Sequence, residues 1–246
     1  MANILDRYGI KEVADVTFYE IDSNGRPAAP VLYLDTLKVS TIEQTAESAE
    51  ARGGKGNAAL ISWDYGKEIT VTLEDALYSP KSLALMFGDT TGASTGTTGV
   101  EILRTVRKDD IPSGTTGASF NINVNGATVK LTACTYYKAD GTTTTAGSTD
   151  VAYAVGKVTL GDAITIDVSA NGFPGTYYIT GDTYARREDN GKDEFFQFII
   201  PKAKVQSESN TITLEAEGDP TVFSMSLKVL RPKSGDMMKL VQYTLG

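Results

Sequence analysis

The sequence predicts a mainly β protein with one short helix, and three observations carry that expectation. Threonine, branched at Cβ and well suited to a pleated surface, occurs 31 times. Apolar and polar residues alternate with period two in short windows, as in Phe120, Ile122 and Val124 set between Asn121, Asn123 and Asn125. Between such windows lie runs of Thr, Gly and Ser without apolar periodicity. GDTTGASTGTTG (88–99), SGTTGASF (113–120) and DGTTTTAGSTD (140–150) read as loops between strands.

Along the chain, strands are expected at 13–21, 31–40, 58–63 and 67–74. The segment Thr41–Asn57 differs in kind. It is nearly devoid of large apolar side chains and ends in glycines on both sides of Lys55. It reads as a polar helix of low stability, or as a long excursion that orders only against a partner. The helix is expected at SPKSLALMFG, with Ser79 as N-cap, Pro80 at the first helical position and Gly88 closing. Leu83, Met86 and Phe87 then share one face.

A hairpin follows at Phe120–Leu131. Its turn is Asn125-Gly126, a pair that tolerates the positive φ of a type I′ turn. Strands are expected next at 151–158 and 163–169. A second hairpin runs from Gly175–Glu188 through Asp189-Asn190-Gly191 into Lys192–Pro201, and the last strands fall at 210–217, 221–230 and 237–244.

Composition excludes much chemistry. The 246 residues hold no histidine and one cysteine, Cys134, which removes Ser-His-Asp sites, intrachain disulfides and multi-cysteine zinc sites. The formal charge of −8 opposes a nucleic-acid-binding face. No run is long and apolar enough for a membrane span, and the first fifteen residues do not form a signal peptide, so a soluble protein of a cytoplasm-like compartment is expected. The carboxylate pairs Asp109-Asp110, Glu74-Asp75, Glu188-Asp189 and Asp193-Glu194 stand beside turns, and neighbours on a strand point to opposite faces. ARGGKGNA (51–58) lacks phosphate-loop spacing and leads into a strand. Arg186-Arg187 is cancelled by Glu188 and Asp189, and the fragments at Asp140 and Asp189 lack the further ligands of a calcium loop. No enzyme signature remains, and no cofactor or metal is expected.

What remains points to assembly. Many strands leave sheet edges that must be covered or paired, and a polar arm without an apolar face of its own can be ordered by docking. The ordered string of segments resembles the tail tube (major tail) proteins of tailed bacteriophages. It runs from STIEQTAESAEARGGKGN into ALISWDYGKEITVTLEDALYS and SPKSLALMFG. It resumes with NGFPGTYYITGDTYARREDNGKDEFFQFIIPKAKVQSESNTITLEAEGDPTVFSMSLKVLRP and closes with GDMMKLVQYTL. Thr- and Gly-rich residues 89–170 fit that pattern poorly and read as an elaboration or insertion on a single domain spanning 1–246.

The resemblance implies a β-sandwich-like or barrel-like subunit with one flanking helix and a long stacking loop. It implies hexameric rings whose sheet edges join into a continuous inner barrel, stacked into a tube for DNA ejection. The chain's partners would be its own copies, with sheath, tape-measure, baseplate and terminator proteins beyond them; DNA would pass without specific binding, and no membrane is involved. The protein would sit in the virion tail after assembly in the host cytoplasm. Thr41–Asn57 matches the loop that lies against the adjacent ring, with Glu43, Glu47, Glu50, Arg52, Gly53, Gly54 and Lys55 as its contact residues. Two other readings stay open: a tail terminator or capsid decoration protein, and a carbohydrate-binding sandwich displaying Tyr136, Tyr137, Tyr177 and Tyr178. Residues 1–88 carry thirteen acidic and eight basic side chains, so that stretch is where a channel wall and ring contacts are expected.

Overall fold

The computed structural model describes residues 7–89, 94–97, 99–208, 210–212 and 221–244. In chain order the elements begin with β1 (Tyr8–Ile10), β2 (Asp15–Ile21), β3 (Pro27–Leu34), β4 (Leu37–Gly53), β5 (Ala58–Asp75) and helix α1 (Pro80–Phe87). There follow β6 (Ser94–Thr97), β7 (Val100–Arg107), β8 (Phe120–Val124), β9 (Ala127–Tyr137), β10 (Thr143–Thr144), β11 (Tyr153–Leu160) and β12 (Ala163–Thr165). The chain ends with β13 (Thr176–Arg187), β14 (Asp193–Val205), β15 (Thr211–Ile212), β16 (Phe223–Val229) and β17 (Lys239–Tyr243). The protein is mainly β, as expected, and every strand pairing is antiparallel.

Two compact units divide the chain. One combines Met1–Ala93 with Ile166–Gly246, and the other is Ser94–Thr165. Each has its own apolar core.

The first unit is built on a ten-stranded sheet in the order β3-β2-β13-β14-β16-β5-β4, with β1 added to β13, β17 to β14 and β15 to β16. It does not close into a barrel, since β3 and β4 end the path without pairing to each other. Period-two alternation puts Phe18, Ile179 and Ile200 in one cross-strand row and Val71, Leu227 and Val205 in another, all fully buried. Burial of each such side chain contributes about 1.5–3 kcal/mol. Leu85 and Met86 of α1 pack onto this same core.

The helix is held at both ends. Ser79 Oγ accepts from the Ser82 amide at 3.0 Å and Ser82 Oγ accepts from the Ser79 amide at 2.9 Å, a reciprocal cap of about 1 kcal/mol. At the far end Gly88 adopts φ +74°, and its backbone N–H turns back onto the last helical carbonyls. Any Cβ there would also lie 2.5 Å from the Phe173 carbonyl carbon, so space as well as φ requires glycine. Asn210 Nδ2 donates to the Met86 carbonyl from a distant segment.

The second unit centres on β10-β9-β11-β7, with β8 paired to the first half of β9. Asn125 and Gly126 take φ +52° and +84°, giving the expected two-residue hairpin turn. Strand β9 changes partner from β8 to β11 at a bulge where Ala133 has φ +49°. Leu131, Ala154, Val106 and Tyr136 form the centre of this core. Cys134 is buried there, and that burial pushes its thiol pKa up.

Several expected boundaries are corrected. The stretch expected as one strand at 31–40 is broken at Asp35-Thr36, where the Thr36 carbonyl accepts from Ala76 N–H. The strands expected at 58–63 and 67–74 are one continuous strand, β5. The loop expected at 88–99 contains β6, paired to β12, and β7 forms where no strand is expected. Thr-rich segments adopt extended backbone readily once a partner strand satisfies their amides. Of the strand expected at 210–217, Thr211–Ile212 is observed as β15; residues 213–217 lie outside the described part.

Two backbone positions give stability changes of opposite sign. A Cβ at Gly181 would lie 2.1 Å from the Phe198 ring, so Gly181→Ala lowers unfolding free energy by about 1–3 kcal/mol. Ala133→Gly removes a left-handed alanine and raises it by up to about 1 kcal/mol. Denaturant titration of both variants, followed by circular dichroism, measures the two effects.

Candidate functional site

The long hairpin of β4 and β5 is the most distinctive surface of the first unit. Near its base β5 pairs with β16 as well as β4, from Thr70 to Asp75. Beyond Thr70, among the described residues, the two strands pair only with each other, and residues 41–50 and 58–68 are exposed. With about 3.3 Å per residue, the ribbon from Glu47 to Gly53 extends roughly 20 Å.

Thr41–Gly53 is therefore strand, where the sequence alone reads as a weak polar helix or an unstructured excursion. Glu, Gln and Ala favour helix by only a few tenths of a kcal/mol per residue over ordinary alternatives, roughly the spread of the propensity scale. Strand β5 supplies a continuous backbone partner, so tertiary pairing overrides local preference. Two register shifts shape the ribbon. At the first, between Thr45 and Glu47, β5 carries an extra residue beside Gly66, whose φ is +64°. The second lies between Ala51 and Arg52 and leaves Leu60 as the extra residue on β5.

The expected contact residues do not form one patch. Glu43 sits near the base, opposite Thr70, and Glu47 opposes Tyr65 on the same side of β4. Glu50 and Arg52 share the other side, where Arg52 Nη2 and Nε donate to Glu50 Oε2 at 2.6 and 2.9 Å. Gly53 opposes Ala58, and Gly54 and Lys55 belong to the tip, where Asn57 N–H donates to the Gly54 carbonyl at 3.2 Å.

Register exposes a feature that the sequence does not show. Ala51 opposes Ile61, Ala49 opposes Trp63 and Glu47 opposes Tyr65, so one ribbon face is apolar except for Glu47 at its inner end. Ile61, Trp63 and Tyr65 are 53, 54 and 53% exposed, and Leu60 at the bulge is 67% exposed. The opposite face pairs Ser48 with Asp64 and Glu50 with Ser62. ALISWDYG signals a strand, but only the absence of a third layer over it makes its apolar side chains a surface.

The large sheet itself is two-faced. Opposite the core lie Asp15 and Thr17 of β2, Thr180 and Asp182 of β13, Lys228 of β16, and Glu68, Thr70, Thr72 and Glu74 of β5. Lys228 Nζ reaches Glu68 Oε1 at 2.7 Å, and Gln197 Nε2 donates to Asp182 Oδ1 at 2.7 Å. The Tyr33 hydroxyl donates to Asp15 Oδ2 at 3.3 Å; desolvation first, and then the Asp15 charge, holds its pKa above the ordinary value.

The remaining candidates from the sequence find ordinary structural partners. Asp75 is buried and accepts from Thr36 Oγ1 and the Leu77 amide, anchoring the turn after β5. Arg186 makes a two-pronged bond to Asp193, holding that carboxyl below its usual pKa, and Arg187 meets Asp189 at 2.8 Å. Tyr136 is buried, its hydroxyl donating to the Gly117 carbonyl; Tyr137 stacks on Tyr153, Tyr177 meets Phe18 edge-on, and Tyr178 meets Tyr19 edge-on. Among the described residues, no group of three His, Cys, Asp or Glu could hold a metal ion, and no helix is long and apolar enough to cross a membrane.

The first unit is an open two-faced sheet with a projecting ribbon, the form of a structural subunit. The chain belongs to the YomU/Tube protein family, whose family model matches residues 8–242. That match spans both compact units and agrees with the resemblance to phage tail tube proteins. No curated protein matches the sequence.

The ribbon should be the least protected part of the sheet in the free subunit, because a two-stranded ribbon without a packed face is marginal in water. Hydrogen exchange is expected to be at least about tenfold faster at Ala49, Ala51, Ile61 and Trp63 than at Val71, Leu73 and Leu227. Mass spectrometry of peptides from the two regions checks this.

Proposed function

We propose that this chain is the building block of a phage tail tube, in which copies join edge to edge into six-membered rings and rings stack along an axis. The observation that carries this reading is the open ten-stranded sheet, one face of which is core and the other polar. In a tube the polar face would look onto the channel, and the free ends β3 and β4 would meet neighbouring copies. Strand β4 offers a 17-residue edge without proline, whereas β3 has Pro27 and Pro30 in its first half. A long unpaired edge is an association hazard unless a partner covers it. The ribbon would reach an adjacent ring, with Glu47, Gly53, Gly54 and Lys55 nearest the contact, while Glu43 stays at the base and Glu50 and Arg52, bonded to each other, face away from it. Sheath, tape-measure, baseplate and terminator proteins would meet the finished tube, which would assemble in the host cytoplasm and serve in the virion.

The work of such a protein is physical rather than catalytic. DNA moving along the channel would meet carboxylates and hydroxyls instead of a basic track. Repulsion between these acids and the phosphates acts over about 8 Å at physiological salt, so it matters only near the wall. It keeps the genome from adhering during ejection.

Electron microscopy of the purified protein distinguishes the readings: a tube subunit forms open-ended hollow filaments, and closed single rings or isolated monomers would reject it. Deleting Glu43–Asn57 should leave a folded subunit, by circular dichroism, that forms no filaments. Reversing Glu43, Glu68, Glu74 and Asp182 to lysine should slow DNA ejection from assembled virions. Ejection at the wild-type rate would remove the proposed role of wall charge.

A further inference from the structure

Resting on the tube-subunit reading, we infer that the ribbon docks on a second copy of this chain through its Ile61, Trp63 and Tyr65 face, leaving the Glu50 and Asp64 face in water. The first ground is register. The three large side chains alternate along β5 and stand opposite Ala51, Ala49 and Glu47, so two alanines leave Ile61 and Trp63 uncovered from across the ribbon. Each is more than half exposed, in a segment with no third strand packed beside it among the described residues. A row of this kind marks a contact surface, and Trp and Tyr are the side chains that most often carry binding energy.

The second ground is charge, which also selects among the ribbon's residues. Every copy carries −8, so copies repel one another at long range. Acids alone cannot bring two such surfaces together; of the basic side chains on the hairpin, Arg52 is already held by Glu50 within the same strand, and Lys55 and Lys67 stand at the tip and at the first bulge. An apolar face needs no opposite charge on its partner. The far face, with Ser48, Glu50, Ser62 and Asp64, is fully served by water. The occupant is a second copy because a tube places identical subunits within reach of a ribbon that projects roughly 20 Å.

Trp63 is the sole tryptophan, so its emission reports on this face alone. On assembly of the purified wild-type protein, Trp63 emission should move to the blue and its quenching by acrylamide should fall several-fold. Trp63→Ala and Ile61→Ser should keep the wild-type far-ultraviolet spectrum while raising the critical concentration for filaments at least about tenfold, the scale of a hot-spot truncation. Ser62→Ala and Asp64→Asn should stay within about twofold of wild type, as expected of exposed polar groups. Filaments in which Trp63 stays red-emitting and freely quenched overturn the face assignment and leave the tube reading standing. A wild-type chain that forms no filaments overturns both.

Discussion

Backbone pairing along β14 is the constraint on which the first unit depends. This strand pairs with β13 over most of its length, but its other edge changes partner midway. Phe195–Ile199 pair with β17, and Ala203–Val205 pair with β16. The change falls at Ile200–Lys202, where β14 also shifts register against β13. Pro201 occupies that point. Its missing N–H costs nothing at a place where neither partner strand requires a donor, and proline is tolerated at bulges for this reason. One proline thus marks where the chain's C-terminal strand ends its pairing and the strands leading to the ribbon take over. Gly181 adds a second condition beside it, because the Phe198 ring occupies the space where a side chain would stand.

Much of the local structure was legible because local chemistry decides it. Ser79, Pro80 and Gly88 bracket a helix whose ends are fixed by capping, and Asn125-Gly126 fixes a turn through φ alone. Mainly β architecture follows from alternation, which survives in almost every strand. The ribbon was not legible, because its existence depends on pairing residues 37–53 with 58–75, and no short window contains that information. Its sequence would be an indifferent helix in isolation; the partner strand makes it a β-ribbon. The same limit explains β6, four Thr-, Ser- and Gly-rich residues that become strand only because β12 lies alongside.

The candidate site was half visible for a related reason. The polar residues of Thr41–Asn57 stand out in sequence as an unusual stretch, and they do lie on the projecting hairpin. Ile61, Trp63 and Tyr65 look like an ordinary buried strand until the structure shows each of them more than half exposed. Apolar residues in a strand carry no mark that tells a core from an interface. Only the count of layers does, and layers are a property of the whole chain.

The charge of the chain sets two requirements against each other. In the proposed tube, a channel wall that must not hold DNA would gain from carboxylates, yet those charges would make every subunit repel its neighbours. Assembly must then rest on interactions that charge does not oppose at short range. Backbone hydrogen bonding along a free β edge is one, since its donors and acceptors carry no net charge. Apolar burial on the ribbon would be the other, and it would add an energy that salt does not weaken. Separating the two functions along the hairpin would resolve the conflict: carboxylates over the body of the sheet, aromatic and aliphatic side chains farther out on the ribbon. The alternation of a β-strand adds a second separation at neighbouring positions in sequence, where Trp63 and Asp64 point opposite ways.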